Sequence, residues 1–177
     1  MTCYLIPASL MLLATVGWEQ PTLAQPHPTM SGIDRAFVHW DLQIERAQRN
    51  MGEIAARRGR NPELRDFGSL LQVEHSAAYS ALRKIAQPDD EERTPLGAIH
   101  VAVEKRYEMI PADRFDGQFL RHEIGDHRRF LGRFRMEAAR GRNSELRAYA
   151  SREIEVLEAD LHEAEALLSH PEDGLRR

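Results

Sequence analysis

Glu123 and His127 stand four residues apart, as do Glu158 and His162, and Glu74 directly precedes His75. Carboxylate oxygen and imidazole nitrogen together suit borderline divalent ions, and a spacing of four puts two donors on one face of a helix. Glu74, His75, Glu123, His127 and His162 are therefore the candidate ligands of a single transition-metal ion, Fe, Mn, Zn or Cu. A dinuclear centre that takes Glu-x-x-His from two helices is rejected, because none of the eight histidines has Glu three residues before it. The competing reading is structural. His127 would donate to Glu74 or Glu123, and the polar residues would only fix the register of the helices.

Other chemistries find little support. The only cysteine is Cys3, just before the first apolar run, so no disulfide or thiolate site is expected beyond it. No serine sits in a nucleophile motif and no Gly-rich phosphate loop occurs. Arg128, Arg129, Arg133, Arg135, Arg140 and Arg142 are answered by Glu153, Glu155, Glu158, Asp160, Glu163 and Glu165. The expectation is a solvated, mutually paired surface, and nucleic acid is disfavoured as a partner because no recognition motif accompanies the charges.

The elements that must position the candidate ligands are helices. Phe37, Trp40, Ile44, Ala47, Met51, Ile54 and Ala55 recur at helical spacing, with Gln48 beside them. Leu64, Phe67, Leu71, Ala78, Leu82 and Ile85 form a second such set, flanked by Glu74 and His75. Phe119, Phe130 and Phe134 form a third with Glu123 and His127 on their face, and Leu146, Ala150, Leu157, Leu161, Ala164 and Leu168 form a fourth. His162 falls off the fourth stripe. The other polar candidates lie near the middles of their helices, so antiparallel packing brings them to one level.

An internal repeat organises the chain. RGRNPELRDF at residues 58–67 and RGRNSELRAY at residues 140–149 lie 82 residues apart and agree at seven of ten positions. Gly59 and Gly141 suit a left-handed residue after a helix, Asn61 and Asn143 suit the N-cap, and Pro62 suits the first helical turn. The expected architecture is thus all-α: two helical hairpins joined by a long connection from about Gln87 to Asp113, with a short helix over Ile99–Met109. That is the connectivity of a ferritin-like four-helix bundle.

A chain of 177 residues with 29% charged and 7% aromatic residues and a net charge of −4 fits one helical domain with no need of an anionic partner. Tyr4 to Trp18 is an uncharged run of fifteen residues, too short for a bilayer and interrupted by Pro7. Thr22 and Ala24 place small residues where a signal peptidase cuts, although no Lys or Arg precedes Arg35. The expected layout is a signal peptide over 1–24, a leader over 25–32, the bundle over 33–170 and a tail over 171–177. The mature chain would be periplasmic or secreted, with no transmembrane anchor.

The stretch DFGSLLQVEHSAAYSALRKIA from Asp66, the stretch DRFDGQFLRHEIGDHRRFLGRF from Asp113 and the later LEADLHEAEALL resemble the exported bacterial family called domain of unknown function 4142. Its landmarks match Glu74 with His75, Phe115 with Asp116, Asp126 with His127, and His162. The first helix departs from the pattern, with Gln48 ahead of Gly52 where the family often has Glu. The resemblance implies a ferritin-like fold behind a signal peptide and implies no known activity. The leading functional reading is an exported envelope or stress-associated bundle without its own catalysis, acting through an unknown protein partner or through self-association. A metal-binding bundle with a Glu/His site in its core is the alternative. A third reading is a subunit that offers an amphipathic face to a partner.

Overall fold

Each copy of the repeat builds a tight turn between two helices, and the same contacts close both. Asn61 caps the helix that follows by accepting from the Glu63 amide at 2.9 Å, and Asn143 accepts from the Glu145 and Leu146 amides at 2.9 and 3.0 Å. Arg65 reaches back to the Gly59 and Arg60 carbonyls, both at 3.0 Å, and Arg147 does the same to Gly141 and Arg142 at 3.1 Å. The turn amides are satisfied from the opposite hairpin. Asp116 accepts from the Arg60 and Asn61 amides at 3.0 and 2.9 Å, and Asp34 accepts from the Arg142 amide at 2.8 Å.

The left-handed backbone expected at the two glycines is not adopted. Gly59 and Gly141 leave their helices at φ −55° and −58°, in conformations open to any residue. Space is what selects glycine here. A Cβ on Gly59 would lie 2.9 Å from the Ala55 carbonyl oxygen, and one on Gly141 would collide with the Glu137 carboxyl.

The computed structural model describes residues 30–86 and 95–169, so the expected signal peptide, most of the leader and the tail lie outside the described residues. The described residues form five helices and no strand: α1 Gly32–Arg58, α2 Pro62–Ile85, α3 Ala98–Met109, α4 Ala112–Arg140 and α5 Ser144–Ser169. The all-α class and the short helix in the connection are therefore found, with α4 starting seven residues before Phe119. The end of the leader is structured: Met30 is buried and Ser31 forms a capping box with Asp34. No helix among the described residues is long and apolar enough to cross a membrane.

α1 packs on α2, α2 on α5, α5 on α4 and α4 on α1, so the four long helices close a ring. The reciprocal aspartate contacts put the start of α1 beside the end of α4, and the start of α4 beside the end of α1. Neighbours are thus antiparallel, and the connection between α2 and α4 must run back along the molecule. α3 makes that return along α1, held by Asn50 to Glu104 at 3.0 Å, by the Arg57–Glu108 pair and by Arg58, which donates to the Tyr107 and Ile110 carbonyls.

The apolar interior falls into two clusters. One gathers Phe37, Leu42, Leu82, Phe134, Leu146 and Tyr149, and the other Met51, Leu64, Leu71, Phe115, Phe119 and Ala164. Every long helix carries at least one buried polar residue between the two clusters, so a polar stratum crosses the core at mid-height.

α1 and α2 touch backbone to backbone. A Cβ on Gly52 would lie 2.6 Å from the Gly68 carbonyl oxygen, and one on Gly68 would lie 2.5 Å from the Ala56 nitrogen. Gly68→Ala should therefore cost about 1–3 kcal/mol of unfolding free energy, because the helices must separate. Gly132→Ala, at a helical glycine with nothing nearby, should instead gain roughly 0.5–1 kcal/mol. Denaturant unfolding of both variants checks the contrast, and equal effects would contradict the backbone contact.

Candidate functional site

The polar stratum is built from all four long helices. α1 contributes Asp41, Glu45 and Gln48, α2 contributes His75, α4 contributes Glu123 and His127, and α5 contributes Asp160; each of these is at most 3% exposed. The rings of His75 and His127 face each other across the interior with centroids 6.2 Å apart.

Hydrogen bonding orients both rings the same way. His127 Nδ1 lies 2.9 Å from the Glu123 backbone carbonyl, which can only accept, so Nδ1 carries a proton and Nε2 is left as the free nitrogen of the ring. His75 Nδ1 lies 2.7 Å from Glu45 Oε2. Glu45 is held in turn: the Tyr149 hydroxyl donates to Asp41 at 2.8 Å and sits 3.4 Å from Glu45 Oε1. Both rings are thus anchored through Nδ1, and both Nε2 atoms lack a hydrogen-bond partner.

Asp160 completes the convergence. Its Oδ2 also lacks a hydrogen-bond partner and lies 3.5 Å from His127 Nε2. One donor atom each from His75, His127 and Asp160 fall within 4.8 Å of one another. A tetrahedral ion with bonds of about 2.1 Å holds its ligands roughly 3.4 Å apart, so the His127–Asp160 pair already has that separation. Two imidazoles and a carboxylate select Zn, Mn, Fe or Cu over Ca or Mg, whose ligands are oxygens.

The five sequence candidates fare differently. His75 and His127 converge. Glu74 is half-buried at the edge of the cluster, with its Oε2 unpartnered. Glu123 is fully buried, but its Oε2 lies 3.7 Å from His127 Nδ1, behind the ring and away from the free Nε2. His162 is exposed and does not join the layer. Asp160, Glu45, Asp41 and Tyr149 were missed. The repeat offset could have found two of them, since 82 residues relate Asp41 to Glu123 and Glu45 to His127.

The charges in the layer are one-sided. Among the described residues, the buried polar groups include several carboxyls and no Lys or Arg. Burial, followed by the charge of Glu45, holds Asp41 well above the usual carboxyl range, and burial with the charge of Glu153 does the same to Glu45. Burial pushes Glu123 up to about 8, His127 opposing and Asp126 and Asp160 adding to it. Glu74 is pushed up to about 7 by burial and then by the Asp160 carboxylate. Burial drives His75 down to about 4, so its ring is neutral at physiological pH.

These observations define a class: an all-helical protein with a buried layer of histidines and carboxyls. The chain belongs to the family described as Domain of unknown function (DUF4142), whose model matches residues 19–167. No curated protein and no solved structure matches the chain.

The raised carboxyls set a pH dependence for the metal-free protein. Glu123 near 8, with Glu74 and Glu137 near 7, keep protons in the folded state that the unfolded chain releases near 4.5. Their contribution is complete below 4.5 and is lost as pH rises through 7 and 8. His75 acts in the opposite sense, but only between its folded value of about 4 and 6.5. From pH 6.5 to 8 the carboxyls alone operate, so the melting temperature of the metal-free chain should fall. Glu123→Gln should flatten the slope, and a rising profile in scanning calorimetry would contradict this assignment of protons.

Proposed function

We propose that this chain is an exported, ferritin-like helical bundle that holds a single divalent transition-metal ion in its polar layer. His75 Nε2, His127 Nε2 and Asp160 Oδ2 are the ligands. The observation that carries this reading is the convergence of three buried, unpartnered donor atoms in a layer that holds no Lys or Arg among the described residues. A bound cation would let the neighbouring carboxyls ionise and would satisfy the two free imidazole nitrogens at once. Glu45 on His75 and the Glu123 carbonyl on His127 are the outer partners that fix ring orientation at metal centres.

The ring order of the helices and the long return connection support the ferritin-like assignment. The uncharged run from Tyr4 to Trp18 and the small residues before Gln25 support export to the periplasm or beyond. Ligands at most 3% exposed keep the ion out of bulk water. The role is accordingly one of binding, with the ion held or used as a brace between hairpins, and no catalytic step is assigned.

The test is metal content and affinity in the protein purified from metal-replete cells. About one equivalent per chain is expected, lost in His127→Ala and in Asp160→Asn. Glu45→Gln should keep the ligands and weaken binding by about 10–100-fold. Added Zn²⁺ or Mn²⁺ should raise the melting temperature of the stripped wild type and leave Asp160→Asn unmoved. A wild type that carries no metal and shows no thermal shift would sink the proposal.

A further inference from the structure

The three ligand atoms are enclosed, so an ion needs a way in, and one side of the layer offers it. Between α2 and α5 an open groove runs from the surface down to Asp160. Its walls carry Glu63, Asp66, Glu74 and Glu163, with Phe67 and Leu70 between them, and no Lys or Arg among the described residues lines it. Glu63, Asp66 and Glu163 are exposed at its mouth, whereas Glu74 is half-buried further in.

An acidic surface by itself would be an ordinary solvated face. This one ends on a different kind of group. Asp160 lines the groove while being only 2% exposed, and its Oδ2 has no hydrogen-bond partner. The same oxygen is the one that lies 3.5 Å from His127 Nε2. Glu74 also lines the groove and keeps a buried, unpartnered Oε2 beside Asp160. Carboxylates thus continue from water to the ligand cluster, becoming steadily less hydrated along the way. A hydrated cation gives up its waters one at a time and needs such replacements in sequence.

We propose that the α2–α5 groove is the portal through which a divalent cation reaches the buried layer, with Glu63, Asp66 and Glu163 gathering the ion and Glu74 passing it to Asp160. The inference rests on the metal reading of the layer. The other cleft near the layer, between α1, α3 and α4, is a poorer route. Arg129 lines it and pairs with its Asp126, and the ring of His122 packs against Tyr107 with centroids 5.1 Å apart.

A portal sets rates and leaves equilibria alone, and this separates it from the site. Metal-stripped full chain is mixed with Co²⁺ and loading is followed by visible absorption, with release measured into excess chelator. Neutralising the mouth with Glu63→Gln, Asp66→Asn and Glu163→Gln together should slow loading and release alike by roughly tenfold at low salt. The dissociation constant should stay at the wild-type value, and the salt dependence of loading should weaken. Glu74→Gln should slow loading further at any salt. Loading by the triple variant at the wild-type rate and salt dependence, with binding intact, would overturn the portal alone. Failure of the wild type to bind Co²⁺, Zn²⁺ or Mn²⁺ at equilibrium would overturn the site and the portal together.

Discussion

Carboxyl groups taken out of water must find a proton, a cation or several hydrogen-bond donors, and the centre of this protein holds Asp41, Glu45, Glu123 and Asp160 with no Lys or Arg among the described residues buried there. Everything else in the mid-section answers that constraint. The Tyr149 hydroxyl donates to Asp41, His75 meets Glu45, and Glu123, whose oxygens have no hydrogen-bond partner, is pushed up to about 8 by burial. The arrangement is stable only if the surrounding apolar clusters compensate. Four aromatic rings, Phe37, Trp40, Phe130 and Phe134, pack edge to face on one side of the layer, with Phe115, Phe119 and Tyr107 on the other.

The two hairpins meet that constraint from equivalent positions. The offset that relates the RGRN turns also relates Asp34 to Asp116, and each of these aspartates closes the turn of the opposite hairpin. Registration at both ends of the molecule therefore fixes the height at which α1 and α4 bring their polar residues together. The symmetry is broken at His75 and Asp160. His75 corresponds to Leu157 and Asp160 to Ala78, so the polar pair of α2 and α5 comes from positions that the repeat does not relate, while Ala78 and Leu157 both join one apolar cluster.

Much of this was legible in the residues. Apolar spacing gave the four long helices, and nearly every residue of the stripes proved buried, because a period of 3.6 is a direct image of which face meets the core. The punctuation at Asn61, Pro62 and Asn143 also reads correctly, since capping is local chemistry. The polar half of the site was harder to read. Asp160 is one of seven acids on α5, and the apolar stripe took in Leu161 and Leu168, which are only partly buried, while it left out Asp160 and Leu167 on the buried face. His162 falls off that stripe and is exposed. Glu45 was hidden because α1 is buried around much of its circumference, with α3 covering a side that a single apolar stripe would leave to water.

The contact between Gly52 and Gly68 has a mechanical meaning. Two helices whose backbones touch have no side-chain layer between them that could repack, so α1 and α2 behave as one stiff body that carries His75 and its Glu45 prop together. At the corresponding places α4 and α5 carry Phe134 and Ala150 instead of glycines, so the second hairpin lacks that glycine contact. Any change in the spacing of His75 from His127 and Asp160 therefore falls to that second hairpin. His75 with Glu45 belongs to the stiff side of the buried polar layer, and His127 with Asp160 to the side that can give.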